Sequence, residues 1–506
     1  MQSPLPKTEG RLPRVRIIGF TGHRHLQNPE AVASALRFEL DALRKAGGEL
    51  IAISSIAIGA DTLFAQEVIR AGIKWIVILP MPTELFREDF APEEWAEAER
   101  LIAQAAEVRV LPGNERPQAY VDGGKATVDD SDCLFAVWDG KPAQGPGGTA
   151  EIVAYAKILG REITLFREGE AGVEKVDPSL VPSAQSTPEN LLKVMGQPPE
   201  LPPPPQSLRD QFKTCDDVAT QTAPNFRRDT LRMARLHLAA TLVAGLSLAI
   251  SAFHFPFPPV YLSVLKILFV SLALGILFSL RWTHAHEIWL QQRLMAEYCR
   301  SILATWHCRD PIEPVSFHEM PELRDLAQSA LFLRLEKDRS ALVDLEAFRA
   351  AYAHNRVMHQ WKYFRDEGDK AQAKAGPLLT RYWTYTFFAV VFSVLLFVLR
   401  FHSRQFATDD FSSSPLLVQG FVTVLNVFPL ALPALASFTI TYRAIEDVDR
   451  RIGRFRDLQE KMRMALIDLS FCGSWESLCR SVTRTEKILF SEVLEWHSIS
   501  SYSATD

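Results

Sequence analysis

Cys133-Leu134-Phe135-Ala136-Val137 runs into Trp138-Asp139-Gly140, and then into Gly145-Pro146-Gly147-Gly148-Thr149-Ala150-Glu151. The first five residues have the length and make-up of a strand buried on both faces. Beyond the glycines, Ile152, Ala156 and Leu159 recur at helical spacing up to a stop at Gly160. The glycines therefore fall between the carboxyl end of a strand and the amino end of a helix. In an open α/β sheet that crevice is where ligands bind. Glycine lets the backbone approach a ligand closely, and a helix start offers unpaired N–H groups and a positive dipole end to a phosphate. Thr149 can add a hydroxyl, and Glu151 suits a ribose hydroxyl or a water better than a phosphate. A tight turn capped by Thr149 is the plainer alternative, but a turn alone does not require three glycines and a proline.

Working outward, residues 14–167 alternate between strand-like and helix-like patterns. Strands are expected at Val15–Phe20, Leu50–Ser54, Trp75–Leu79, Val108–Leu111, Cys133–Trp138 and Ile163–Phe166. Helices are expected at Glu30–Ala46, Ala60–Ala71, Pro92–Ala106, Ala119–Asp130 and Thr149–Leu159. This alternation predicts an α/β fold, a Rossmann-like doubly wound parallel sheet with helices on both faces. Three strand ends carry unusual residues. The first leads into Thr21-Gly22-His23-Arg24, the second into Ser55 and Gly59-Ala60-Asp61, and the fifth into Asp139-Gly140 and Gly147-Gly148-Thr149-Ala150-Glu151. In a parallel sheet these three ends converge on one edge, and these residues form the candidate ligand set. His23 and Arg24 can neutralise a phosphate, with the fork of Arg24 able to grip it bidentately. Asp61 either caps its own helix or meets the ligand. Neither a Walker A sequence nor a GxGxxG after the first strand is present, which argues against an NTPase and a dinucleotide oxidoreductase. No cofactor and no metal site are expected.

TGHR after the first strand, GADTLFAQ after the second and WDGKPAQGPGGTAE after the fifth together resemble the SLOG superfamily. That group includes the DNA-processing protein DprA and the LOG phosphoribohydrolases. The resemblance covers roughly residues 14–167 and implies a Rossmann-like domain that binds a nucleotide or its derivative. LOG enzymes carry a PGGxGTxxE signature. This chain keeps the paired glycines and the acid, as Gly147, Gly148 and Glu151, but lacks the later glycine and has a shorter spacing. The departure favours ligand binding over hydrolysis.

The whole chain has 506 residues, enough for two or three domains, and a net charge of -5. With a pI near 6.2, nucleic acid is not expected as the main partner. Six cysteines show neither a CxxC pair nor a regular framework, which fits a reducing compartment. The opening MQSPLPKTEGRLPR has no apolar run, so a signal peptide is not expected. Residues 168–224, with Pro202–Pro205 at their centre, read as a proline-rich spacer.

Four apolar segments follow, at Leu236–Phe253, Val260–Leu280, Trp383–Phe401 and about Leu416–Tyr442. Each is close to the roughly 20 residues that span a bilayer. Arg227, Arg228, Arg232, Arg235, Arg281, Arg381, Arg443, Arg450 and Arg451 border them, while His254–Pro259 carries neither Lys nor Arg. This asymmetry places both termini in the cytoplasm of a multi-pass protein. Lys266 within the second segment reads as snorkelling. An all-α four-span membrane domain with long cytoplasmic helices is therefore expected. It divides into a two-span unit with its helix (225–310), a helical region (311–380) and a second two-span unit (381–500). The repeated order of hairpin and long helix resembles the SLATT membrane modules that accompany SLOG sensors in bacterial conflict systems. Apolar positions at helical spacing in Ala444–Leu469 point to a homo-oligomer. The resemblance implies a sensor-effector of the bacterial cell membrane. A nucleotide-derived signal would drive pore formation or membrane disruption during phage infection. The second reading is an enzyme, a membrane-tethered nucleotide N-glycosidase using Glu151 and Arg24.

Overall fold

The computed structural model describes residues 13–143, 145–167, 173–176, 187–252, 259–283, 285–312, 315, 323–336, 343–402 and 416–502. The chain falls into two compact units. The first comprises Met1–Pro199, Asp344–Ala353 and Ala465–Val482, and the second comprises Glu200–Val343, His354–Met464 and Thr483–Asp506.

In the first unit a seven-stranded sheet is built from β1 (Val15–Gly22), β2 (Glu49–Ser54), β3 (Lys74–Leu79), β4 (Glu107–Val110), β5 (Cys133–Val137), β6 (Glu162–Phe166) and β7 (Val173–Val176). The strand order is β4-β3-β2-β1-β5-β6-β7, and every pairing is parallel except β6 with β7. The helices are α1 (Pro29–Lys45), α2 (Ala60–Arg70), α3 (Thr83–Arg87), α4 (Pro92–Ile102), α5 (Arg116–Asp129) and α6 (Thr149–Ile158). α1, α2 and α4 pack in sequence on one another, and α5 packs on α6. Two such sets follow from right-handed crossovers, because the chain reverses its direction across the sheet after β4. Local signals explain the helix starts. The Asn28 side chain accepts from Ala31 N and Pro29 fills the first turn of α1. The core is mainly apolar. Ile18, Phe20, Leu36, Leu40, Phe64, Trp75, Val77 and Phe135 are buried, and the Phe20 and Phe64 rings stack 4.2 Å apart. Side chains of this size each contribute about 1.5–3 kcal/mol on burial.

All six expected strands and all five expected helices of this region are present, with ends shifted by a few residues. The antiparallel β7 and the short α3 are additional. Residues 168–224 are not one extended spacer. Pro188–Met195 is helical, and a long helix, Gln206–Ala252, begins directly after the prolines, leaving 196–205 without regular structure. Good helix formers follow Pro205, and the next proline is Pro224.

The larger correction concerns the carboxyl-terminal half. Residues 344–353 and 465–482, read from sequence as cytoplasmic helices of the membrane half, belong to the first unit. Residues 465–482 pack on α5 and α6, and 344–353 pack on 465–482 and on the helix Pro188–Met195. Lys125 of α5 pairs with Asp468, Arg480 pairs with Asp122, and Gly473 N donates to Gln118 Oε1 at 2.6 Å. Gln118 Nε2 donates to Phe471 O at 3.2 Å, and Ser477 Oγ donates to Asp122 Oδ1 at 3.0 Å. Apolar contacts accompany these bonds, with the rings of Tyr155 and Phe471 5.0 Å apart and those of Phe348 and Trp475 5.7 Å apart.

The second unit is helical. Among the described residues three helices are long and apolar enough to cross a membrane, Val260–Trp282, Leu345–Leu399 and Val424–Ser470. Three stand where four were expected. The segment Leu236–Phe253 ends the helix Gln206–Ala252 but is not among them, and residues 253–258 lie outside the described set. Away from these helices, Leu294, Tyr298, Cys299, Ile302, Trp306, Leu323 and Phe490 form a buried apolar cluster. Beside Tyr298, a π-helical turn (Ala353–Met358) carries Arg356. This arginine donates to Glu486 at 2.8 and 3.0 Å and to Glu297 at 2.9 Å, all three residues being buried. All six cysteines are free and buried.

Candidate ligand site at the sheet switch point

The strand order reverses direction between β1 and β5, the position at which an open α/β sheet leaves a crevice at its carboxyl edge. β2, β1 and β5 are neighbours there. Phe20 pairs in register with Ser54, and Gly22 pairs with Val137. The three motif-bearing strand ends therefore lie side by side, as the sequence predicted.

The loop after β1 is tied to both neighbours. His23 N donates to Val137 O at 3.3 Å, and His23 O accepts from Ala60 N at 3.0 Å. The His23 ring lies 3.2 Å from Asp139 Oδ1, while Asp139 N donates to His23 Nε2 at 3.1 Å. Asp139 Oδ1 also accepts from Lys141 N, which shapes the turn at Gly140. Thr21 and Gly22 close β1, and a β-carbon on Gly22 would lie 2.4 Å from that of Ala60. Gly59 holds φ at +91°, and a β-carbon there would lie 2.1 Å from Arg24 O. Ser55 follows β2, its carbonyl accepting the Ser54 hydroxyl. His23, Asp139, Gly22 and Gly59 thus have internal duties as well as a place at the crevice.

The glycine-rich loop behaves similarly. Gly147 holds φ at +76° against the start of α5, and Glu151 Oε2 accepts from Gly147 N at 2.7 Å. Gly148 caps α6, where Thr149 is buried. The sequence reading gave these glycines to the ligand. The structure gives Gly147 to helix packing and one oxygen of Glu151 to the loop itself. At the first turn of α6, the N–H groups of Thr149 and Ala150 have no hydrogen-bond partner among the described residues.

Three polar features of the site lack an ion-pair or hydrogen-bond partner among the described residues, two at the surface and one buried. Arg24 is exposed and makes no ion pair among the described residues, its guanidinium lying 5.2 Å from the centre of the Tyr120 ring. The α6 N–H groups offer donors and a positive dipole end. Asp61 is buried, with Oδ2 accepting from Ala57 N at 3.3 Å and Oδ1 without a partner among the described residues. Burial pushes its carboxyl up to about 7, although the Ala57 bond and the charge of Arg24 work the other way.

Sequence reasoning missed Tyr120 and Asp89. Tyr120 lies under Arg24, touches the Gly147 loop and donates its hydroxyl to Asp89. Burial, together with that bond, pushes the phenol up to about 12. A tyrosine in the first turn of an otherwise ordinary helix gives no motif, so only the fold reveals it.

Among known proteins, no family model matches the chain and no curated protein matches it.

Proposed function

We propose that the first unit binds a nucleotide-derived signal and that the second acts on a membrane in response. The observation that carries this reading is Arg24 at the switch point, without an ion pair among the described residues, together with the α6 start, where two N–H groups have no partner among them. A phosphate satisfies both. Three apolar helices with rows of exposed Val, Leu, Ile and Phe, such as Val264, Ile267, Phe387 and Phe397, support a bilayer as the second partner. The sequence resemblance to SLOG sensors and SLATT modules adds the biological setting of bacterial anti-phage defence, with a homo-oligomer at the cell membrane and both termini in the cytoplasm. In this reading Leu236–Phe253 is the remaining span.

Coupling needs a ligand that binds two states of the chain differently. α5 supplies the element to bias. Its Tyr120 end lies against the Gly147 loop, and its Gln118, Asp122 and Lys125 grip 465–482. From there the chain itself continues into the second unit.

The enzyme reading is weaker because the Glu151 carboxylate is committed to Gly147 N. Full-length chain in lipid nanodiscs, titrated calorimetrically with nucleoside monophosphates, ADP-ribose and cyclic dinucleotides, tests the proposal. Saturable binding of one class, with dye release from liposomes carrying the protein when that nucleotide is added, supports it. Free base released at catalytic rates would establish the N-glycosidase instead, and no binding by any of them would overturn both.

A further inference from the structure

We infer that Arg235, Arg281 and Arg381 form a collar that binds the headgroups of anionic phospholipids at one face of the bilayer. This rests on the proposed membrane reading of the second unit and adds the class of lipid that the unit selects.

Each of the three arginines borders an apolar segment. Arg235 precedes Leu236–Phe253, Arg281 closes Val260–Leu280, and Arg381 precedes Trp383–Phe401. All three borders lie at the same end of the segments, because the polar continuations of these helices pack on one another. Leu208, upstream of Arg235, shares a buried cluster with Leu294 and Tyr298, downstream of Arg281. Arg356, upstream of Arg381, reaches Glu297 of that same downstream helix at 2.9 Å. The fourth segment returns to this end as well. Lys374 pairs with Glu446 at 3.1 Å, and the rings of Phe392 and Phe428 stack 4.9 Å apart, so the last two segments run antiparallel.

Charge balance sets the three apart from their neighbours. Arg232 has Asp229 at 2.9 Å, Lys374 has Glu446, and Arg443 has Asp449. Arg235, Arg281 and Arg381 are exposed and make no ion pair among the described residues. Beside two of them stands a tryptophan open to the surroundings, Trp282 at 73% exposure and Trp383 at 61%. Exposed Phe278 and Phe387 follow within the apolar segments. An indole and an unbalanced arginine at the border of an apolar band settle at the depth of lipid headgroups. There each guanidinium meets phosphate, which its fork grips bidentately. A zwitterionic lipid brings its own cation to that phosphate, whereas an anionic lipid leaves its charge to the arginine. Three unbalanced cations on one face therefore select lipids of net negative charge.

The test reconstitutes the full-length chain in phosphatidylcholine bilayers with a trace of spin-labelled phosphatidylglycerol or spin-labelled phosphatidylcholine. Electron spin resonance then measures how much of each label the protein immobilises. The wild type is expected to favour phosphatidylglycerol by about five-fold, a preference that shrinks in high salt. Combining Arg235→Gln, Arg281→Gln and Arg381→Gln should bring the ratio close to unity. Combining Arg209→Gln, Arg324→Gln and Arg456→Gln removes as much charge from exposed arginines outside the apolar segments and should leave the ratio unchanged. Equal association of both labels with the wild type, or equal effects of the two combined variants, would overturn the inference alone. A wild-type chain that enters no bilayer and immobilises neither label would overturn the membrane reading and this inference with it. Should the first combined variant fold poorly, the wild-type ratio and the single change Arg281→Gln decide the question.

Discussion

Gly147 sits on Tyr120 so closely that a β-carbon at position 147 would lie 2.7 Å from that of the tyrosine. The same hypothetical carbon meets the backbone of Tyr120 and Val121 at 2.8 Å, and neither can turn aside. The glycine-rich loop is thereby clamped on α5, and its backbone conformation is set by a helix.

Gly147→Ala should therefore destabilise the first unit by about 2–4 kcal/mol, combining a positive φ with a clash against backbone. Gly145→Ala, in the same loop but with open space around it, should stay within about 0.5 kcal/mol. Denaturant titration of the two variants, followed by tryptophan fluorescence, makes the comparison. Equal effects would mean that the loop is not seated on α5.

The carboxyl of Asp61 predicts an unusual pH dependence. Its folded value, about 7, stands well above that of an ordinary aspartate, so the folded state holds a proton that the unfolded state has lost. Stability should fall as pH rises from about 4 to about 7, and level off above that. That displacement corresponds to at most ~4 kcal/mol. Asp61→Asn removes the charge, so its gain in Tm over the wild type should be large at pH 8 and small at pH 5. A gain independent of pH would reject the buried-acid account.

Lys125 and Asp468 bind α5 to a segment more than three hundred residues away. Burial works against the Lys125 charge, yet Asp468 prevails and its ammonium is held above the usual lysine range. Lys125→Ala leaves the Asp468 carboxylate without its cation and should cost about 3–5 kcal/mol. Adding Asp468→Ala should recover part of the loss, a coupling of about 1–3 kcal/mol in a double-mutant cycle. Limited proteolysis offers a second readout, with cleavage within 465–482 accelerating in the single variant.

Arg356 makes a separate prediction for the second unit. Burial acts to raise the Glu297 carboxyl, but Arg356 and Arg300 outweigh it and bring the value to about 2. Glu297 therefore contributes stability that is present above about pH 4.5 and lost as pH falls towards 2. Arg356→Met should destabilise this unit by about 3–5 kcal/mol at pH 7, because two buried carboxylates lose their shared cation. The loss should shrink on acidification, as thermal unfolding at pH 7 and pH 4 would show.

Much of the sheet could be read from the sequence because Val15–Phe20, Leu50–Ser54 and Cys133–Val137 are short, mostly apolar runs, each followed by turn residues and a periodic helix. The convergence of the TGHR, Gly59–Asp61 and glycine-rich segments followed from the parallel arrangement alone. The reasons for individual residues did not. Gly147 and Gly59 were assigned to a ligand, because a sequence shows that a glycine is present but not which backbone would strike its β-carbon. Tyr120 has no local signal. Segments 344–353 and 465–482 read as amphipathic helices wherever they dock, so the contacts of 465–482 with α5 and of 344–353 with 465–482 have no sequence signal. A helical period records that one face is apolar and does not name the surface that covers it.

The first unit draws its last pieces from residues 465–482, which begin in the last turns of the third apolar helix, Val424–Ser470. The order of synthesis then constrains assembly. As the ribosome emits the sheet and α5, the surface of Gln118, Asp122 and Lys125 stays bare, and it is covered only when Asp468 and Arg480 emerge nearly 350 residues later. A chain halted before that point carries an unfinished first unit, even when its apolar helices are all made. The docking of 465–482 is therefore a late event, withheld until the long apolar helices before it have been made.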